Sequence, residues 1–215
     1  MKHLGTGGLR YAQPVAFRRT RKEGGDLPGF VRTLRDVAAR DAAPLNLRGR
    51  AEYDELTELP NRKMFYEHVQ RAIGSMKRRS SNRFAVLFVE LDDFNAVNDE
   101  FGHIVADKLL AVTARRLEVC VRPADIVARI GGAEFAILLN GITNISDADD
   151  AAERIGILMR QPAAIEKETV RASVSVGIAI GNPNYIHPED IARDADAAMY
   201  AAKTAEGACG KLFGT

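Results

Sequence analysis

Cysteine is scarce in this chain of 215 residues: Cys120 and Cys209 lie far apart and outside any CxxC spacing. Neither a disulfide framework nor a cysteine-based zinc site can be built from them, and a reducing, cytoplasmic compartment is expected. Net charge is nearly absent too, because 30 Lys and Arg residues almost cancel 29 Asp and Glu residues. No global field therefore draws the chain to nucleic acid or to an anionic membrane, and any phosphate recognition has to be local. Long apolar runs are missing. The longest, such as FAVLFV at 84–89, fall far short of a membrane span, and the start MKHLGTGG lacks the apolar core of a signal peptide, so a soluble chain is expected. The histidines are few and scattered: His3, His68 and His187 are isolated, and His103 fits a structural role at a helix start. What remains is ordinary globular composition, 46% apolar and 27% charged, with room for one full domain and a smaller appendage.

Residues 9–38 predict two short strands, LRYAQPVAFRR and GFVRTLRDV, joined by the Gly-rich turn RKEGGDLP. Two strands cannot bury both faces alone, so this segment has to pack on something larger or belong to it. The strand, the turn, GFV and the following LRDVAARDAA resemble the last two strands of a PAS sensor domain running into its exit helix. Residues 1–32 are accordingly expected to be partial PAS-like strands, and 33–53 a linker of helical composition interrupted at Pro44. From Asp54 onward helical and strand periods alternate. RKMFYEHVQRAIGSMKRR and HIVADKLLAVTARRLEVCV have helical periodicity, FAVLFVEL is a strand, and IVARI and EFAILL flank GGA as a hairpin. A helix over SDADDAAERIGILMRQP, a strand in VRASVSVGIAI and a helix over PEDIARDADAAMYAAKTAE complete the domain, with Met199 and Tyr200 at core-like positions. The order implies an α/β sandwich, a mixed sheet flanked by helices.

Five strings in this region carry a resemblance. They are DELTELPNR at 54–62, ELDDFNAVNDEFGHIVADKLL at 90–110, RPADIVARIGGAEF at 122–135, SVSVGIAI at 173–180 and ADAAMYAAK at 195–203. Together they resemble the DxLTGLxNR, DxDxFKxxNDxxGHxxGDxxL, RxxDxxxRxGGDEF, SxGxA and ADxAxYxAK motifs of GGDEF domains, in the family's order. The resemblance implies a GGDEF domain over 54–215 with a palm-like sheet related to nucleotidyl cyclases. It also implies condensation of two GTP molecules into cyclic di-GMP by two facing domains. Such chemistry on a triphosphate uses divalent metal, here Mg²⁺, held by carboxylates at adjacent strand ends.

At that site the chain departs from the family. Glu90 stands where the first metal Asp is implied, followed by Leu91, whose carbonyl would help, and Asp92. A carboxylate one methylene longer shifts its oxygens, and a ~1 Å misplacement at a reacting centre can cost ~100-fold. Ala133 replaces the second metal acid, so Glu134 is the only catalytic candidate left in the hairpin, and strand alternation turns it to the face opposite Ala133. Asn95 replaces a Lys near the phosphates. The base-recognition residues implied by the family are kept: Asn98 through its amide, and Asp107 as acceptor for the donor-rich guanine edge. Ala106 replaces a Gly beside them. Lys203 matches the phosphate-contacting Lys, while the Arg that should follow is replaced in EGACGK at 206–211.

Arg122 and Asp125 match the RxxD product-inhibition site and would bind cyclic di-GMP, Arg by gripping phosphate and base edge and Asp by accepting from guanine N–H groups. The same pair equally fits a plain turn cap, and Asn98 and Asp99 equally fit a turn between strand and helix. The basic MKRRSSNR lacks interleaved aromatics and is read as a solvated turn, so no nucleic-acid partner is expected. Three readings follow. The leading one is a degenerate GGDEF domain without cyclase activity, sensing cyclic di-GMP or GTP, homodimeric, and joined in its full-length protein to an EAL or other signalling domain. The others are a working cyclase in which Glu90, Asp92 and Glu134 rearrange around metal, and an interaction module that binds no nucleotide.

Overall fold

The computed structural model describes residues 51–204 and 211–213, all within a unit that runs from Pro44 to Thr215. The PAS-like strands expected over 1–32, most of the linker 33–53, and Cys209 lie outside the described residues. Ala51 and Glu52 are already hydrogen-bonded into the domain: the Asn61 N–H donates to the Glu52 carbonyl at 2.9 Å and the Asn61 amide to the Ala51 carbonyl at 2.9 Å. Residues just ahead of Asp54 are thus tied to the start of the first helix.

Helix α1 (Arg62–Arg78) starts at Asn61, whose side-chain oxygen accepts from the Met64 N–H at 3.1 Å, an N-cap that satisfies one of the free donors of the first turn. Its buried residues Phe65, Val69, Ile73 and Met76 recur at helical spacing and form one stripe. Strand β1 (Phe84–Leu91) is the centre of the sheet and is buried on both faces. Phe84, Val86 and Phe88 pack with α1, while Ala85, Leu87, Val89 and Leu91 point into the opposite core, the period-2 alternation of a strand covered on both sides.

Two helices follow where one was expected. Helix α2 (Phe94–Phe101) is new, and Asn98 lies inside it rather than in a turn. Gly102, at φ +81°, ends α2 and opens α3 (His103–Cys120), a backbone state that costs glycine little. Strands β2 (Ile126–Gly131) and β3 (Glu134–Asn140) form the expected hairpin around Gly132. Helix α4 (Ser146–Met159) stops short of the Pro162 expected to lie in it, since the residue before proline is disfavoured in helical geometry.

The run VRASVSVGIAI is not one strand. It divides into the end of β5 (Glu168–Val170), which pairs with β4 (Ala163–Ile165), and β6 (Val174–Ile180). Helix α5 (Pro188–Thr204) and the short β7 (Lys211–Leu212) close the domain. Within α5, Met199 is buried as expected, but Tyr200 is 69% exposed and belongs to no core. The main sheet has the order β2-β3-β1-β6-β7, antiparallel except for the parallel β6–β7 pair. This is the mixed sheet with helices on both faces that the alternation predicted. Among the described residues no helix is long and apolar enough to cross a membrane.

Candidate functional site

Four parts of the fold converge on a cleft of about 500 Å³. The end of β1 supplies Glu90 and Leu91, the start of α2 supplies Asp93 to Ala96, the β2–β3 hairpin supplies Gly131 to Glu134, and the last turn of α5 supplies Lys203. Register explains the meeting. Glu90 lies directly opposite Glu134 on β3 and opposite Ser175 on β6, and residues opposite one another on neighbouring strands project to the same face. Glu134 therefore shares the face of Glu90. Ala133 packs on the other core instead, and its carbonyl accepts the Leu91 N–H at 3.2 Å. The alternation between Ala133 and Glu134 holds, but the acid-bearing face is that of Glu134, contrary to the expectation that it turns away from the site.

Electrostatics at this face are crowded. Burial pushes the Glu134 carboxyl above its ordinary range, the charges of Asp196 and Glu90 push it further, and Arg62 opposes them. The Lys203 ammonium donates to Glu90 Oε1 at 3.1 Å. Asp92 is elsewhere: its two oxygens accept from the hydroxyls of Ser173 at 2.6 Å and Ser175 at 2.7 Å, and it does not line the cleft. Asp93 lines the cleft from a left-handed backbone position at φ 52°. No sequence signal distinguished it from Asp92.

For Mg²⁺, which needs close to octahedral oxygen coordination from carboxylates and substrate phosphates, the cleft offers the carboxylates of Glu90, Asp93 and Glu134. Glu90 is held by an ammonium, Asp92 by two hydroxyls, and Ala133 offers no side-chain ligand. Among the described residues no group of three or more His, Cys, Asp or Glu side chains is placed to hold a metal ion. Asn98 and Asp107 stand on the adjoining helices α2 and α3, half-buried and exposed respectively, and neither lines the cleft. Beside Asp107, Lys108 pairs with Glu166 of the β4–β5 hairpin.

At the far end of β3, Asp125 adopts the turn-cap geometry. Its Oδ2 accepts the Arg122 N–H at 2.9 Å and its Oδ1 the Asn140 N–H at 2.9 Å. Each carboxylate oxygen keeps a second lone pair. The Arg122 side chain is exposed beside a small recess of about 50 Å³ that Arg154, Asp147 and Asp150 also line.

One residue that sequence reasoning passed over ties the opening motif to the hairpin. Arg129 Nη1 donates to both oxygens of Asp54, at 3.0 and 3.2 Å, while its Nε and Nη2 donate to the Gly132 carbonyl at 3.1 and 2.8 Å. Burial pushes the Asp54 carboxyl up, but the Thr57 hydroxyl, the Arg129 guanidinium and the Thr57 N–H outweigh it, leaving Asp54 below the usual carboxylate range. With Asp54 and Arg129 lying 75 positions apart, no local pattern could have paired them.

A cyclase-like palm with a glycine hairpin at its cleft defines the class. The family model "Diguanylate cyclase, GGDEF domain" matches residues 51–209, and the chain belongs to the GGDEF domain family. It is 41% identical over 153 residues to the bifunctional diguanylate cyclase/cyclic di-GMP phosphodiesterase MucR of Pseudomonas aeruginosa, covering 71% of this chain and 22% of that protein. To the diguanylate cyclase TpbB of the same species it is 37% identical over 159 residues, covering 74% and 36%. The chain thus spans well under half the length of these relatives. Among solved structures, the isolated GGDEF domain of TpbB superposes with a TM-score of 0.71 at 36% identity, covering 75% of this chain and 94% of that one. The GGDEF domain of DgcB from Caulobacter crescentus, in complex with c-di-GMP, gives 0.71 at 26% identity, covering 77% and 94%.

Proposed function

We propose that this is a catalytically inactive GGDEF domain of cyclic di-GMP signalling, a regulatory module that binds a guanine nucleotide, cyclic di-GMP or GTP, and makes no product. The observation that carries the reading is the Lys203–Glu90 ion pair beside Ala133. The acid at the metal position and the cation at the phosphate position neutralise each other, and the third position of the hairpin, Ala133, carries no carboxylate. Mg²⁺ would enter only with a bound nucleotide. Purified protein given GTP with Mg²⁺ or Mn²⁺ is expected to form no cyclic di-GMP above background by chromatography. Sustained turnover would overturn this reading in favour of a working cyclase built on Glu90, Asp92 and Glu134.

Cyclic di-GMP is the ligand proposed for Arg122 and Asp125, supported by the exposed guanidinium and by the free lone pairs left on Asp125. The DgcB relative is itself complexed with that dinucleotide. Hydrogen bonds to charged groups contribute about 1.5–3 kcal/mol each, so a ligand with two phosphates bridging two chains reaches micromolar affinity. Cyclic di-GMP is expected to raise both the melting temperature and the homodimer fraction, and Arg122→Ala to abolish both effects while leaving the apo melt unchanged. A silent titration would mean that the turn cap seen at Asp125 is the motif's whole role, and the interaction-module reading would take its place. A phosphodiesterase of the EAL type elsewhere in the full protein is the output partner that fits, as the bifunctional name of MucR suggests.

A further inference from the structure

We infer that helix α2 is a hinged lid on the cleft, opening as a unit about Asp93 and Gly102 while the sheet and α3 stay folded. Both ends of the helix sit at backbone turns of positive φ, Asp93 at 52° and Gly102 at 81°. Such positions at the ends of an element are where a moving segment absorbs its change of angle. What lies beyond each hinge is fixed. Ahead of Asp93, Asp92 is fastened to β6 and the residues leading into it: its N–H donates to the Ser173 carbonyl at 3.0 Å, and its carboxylate accepts from the Ser173 and Ser175 hydroxyls. Beyond Gly102, α3 buries eight of its 18 residues, among them Leu109, Leu110 and Leu117.

Between these anchors α2 is held lightly. Of its eight residues only Val97 is buried, and Phe94 and Phe101, on the same stripe, are partly covered. The stripe rests on the satellite core of α3 and the β4–β5 hairpin. Phe94 alone also touches the main core, and it lies next to the first hinge, where a pivot preserves its contact. Asn95, Ala96, Asp99 and Glu100 are exposed, and the Asp93 side chain makes no cap bond to the first turn, which leaves the free donors there to water. Few buried apolar contacts and helix bonds open to solvent mark a segment that opens at less cost than global unfolding. The segment matters to the cleft because Asp93 to Ala96 form part of its wall. Asn98 rides on α2 and Asp107 on α3, on opposite sides of the Gly102 hinge. On the guanine-binding reading, the lid's position therefore decides whether these two residues act together, while the hinge itself stands apart from that reading.

Native-state hydrogen exchange of the intact chain, followed by NMR, tests this directly. The amides of Val97 to Gly102 are expected to exchange about 100-fold faster than the slowest amides of β1 and α3, with a shallower dependence on urea, the signature of local opening. Val97→Ala is expected to speed them about tenfold more while leaving exchange in β1 unchanged. A Cβ at Gly102 would meet no atom within 4 Å, so Gly102→Ala acts through the backbone angle alone. It too should loosen α2 and not β1. Equal protection of α2 and α3 in the parent, or variants that speed β1 and α2 alike, overturns the lid. Saturating GTP is expected to slow the α2 amides about tenfold. GTP bound with those amides unchanged overturns closure on the ligand, whereas a failure of GTP to bind overturns the guanine-binding reading and leaves the lid to be judged by the exchange rates.

Discussion

Gly177→Ala is expected to leave little or no folded domain at room temperature, as read by far-UV circular dichroism and thermal melting. Gly177 sits in β6, where α5 crosses the sheet so closely that a Cβ built there would lie 2.1 Å from the Ala195 carbonyl oxygen and 2.1 Å from the Met199 nitrogen. Those two atoms are the acceptor and donor spacing of one helical turn, so the added methyl would wedge into the backbone of α5 rather than displace a movable side chain. Overpacking ordinarily costs about 1–3 kcal/mol. Here the obstacle is backbone on one side and a sheet strand on the other, and the loss is expected to consume most of a stability of roughly 5–15 kcal/mol. Gly74 provides the contrast. In the interior of α1 a Cβ would meet only the end of the Arg78 side chain, at 3.4 Å, and Gly74→Ala is expected to stabilise by about 0.5–1 kcal/mol through helix propensity. Should Gly177→Ala melt within a few degrees of the parent, the close approach of α5 to β6 described above is wrong.

The second large effect is expected at Arg129. Its side chain is 13% exposed and that of its partner Asp54 is 25% exposed. Arg129→Ala strands a half-buried carboxylate and removes both donors from the Gly132 carbonyl. Breaking a fully buried pair costs about 3–5 kcal/mol. Since Asp54 keeps water access and its bonds from Thr57, about 2 kcal/mol is expected in urea melts at pH 7.

The pH dependence has a definite sign. The folded carboxyl of Asp54 lies below its ordinary value, so on acidification the unfolded chain takes up the proton first. The pair's contribution is complete above about pH 4, the ordinary carboxylate range, and is lost as pH falls through the depressed folded value. In Arg129→Ala that acid-side loss should be smaller. Arg129→Lys keeps the charge but not the fork, and is expected to fall between the two while hydrogen exchange at the Leu91 amide, which bonds the hairpin carbonyl of Ala133, speeds up. Parallel stability curves for parent and Arg129→Ala from pH 7 to pH 3 would show that Asp54 draws nothing from the guanidinium.

Much of this fold was legible because its elements are long and their periods clear. α1 repeats buried residues at helical spacing, β1 is a continuous apolar run, and GGA between two strand-like segments marks the hairpin. The failures have physical causes of their own. α2 has eight residues and buries only Val97, too little for a period to show. β4 and β5 have three residues each and are held by a small satellite core with Val105 and Leu109 that no local pattern announces. Tyr200 follows Met199 in sequence, but one residue turns a helix by about 100°, which carries it out to solvent.

At the site, the positions of Glu90, Ala133 and Lys203 could be picked out by motif. What they do to one another could not, because 113 residues separate Lys203 from Glu90 and the serines that hold Asp92 lie 81 and 83 residues beyond it. Gly177 is a similar case: the motif marked the glycine, and only the crossing of α5 explains why nothing larger fits.

The corner formed by Asp54, Arg129 and Gly132 has a consequence for communication. Residues 51–61 are stitched to β2 by the Arg129 N–H donating to the Pro60 carbonyl at 2.9 Å, and to the hairpin tip by the same residue's guanidinium. The point where the chain enters the domain and the turn that borders the cleft thus share one arginine, with no deformable loop between them. A shift of Asp54 of even an ångström has to be absorbed by the Gly132 carbonyl or by the loss of a charged hydrogen bond. Because coupling between two sites is reciprocal, a ligand that steadies the hairpin must steady the entering segment to the same degree in free energy. The wiring between the entrance of the domain and its pocket runs through Asp54, Arg129 and Gly132, and so passes through neither Glu90 nor Lys203.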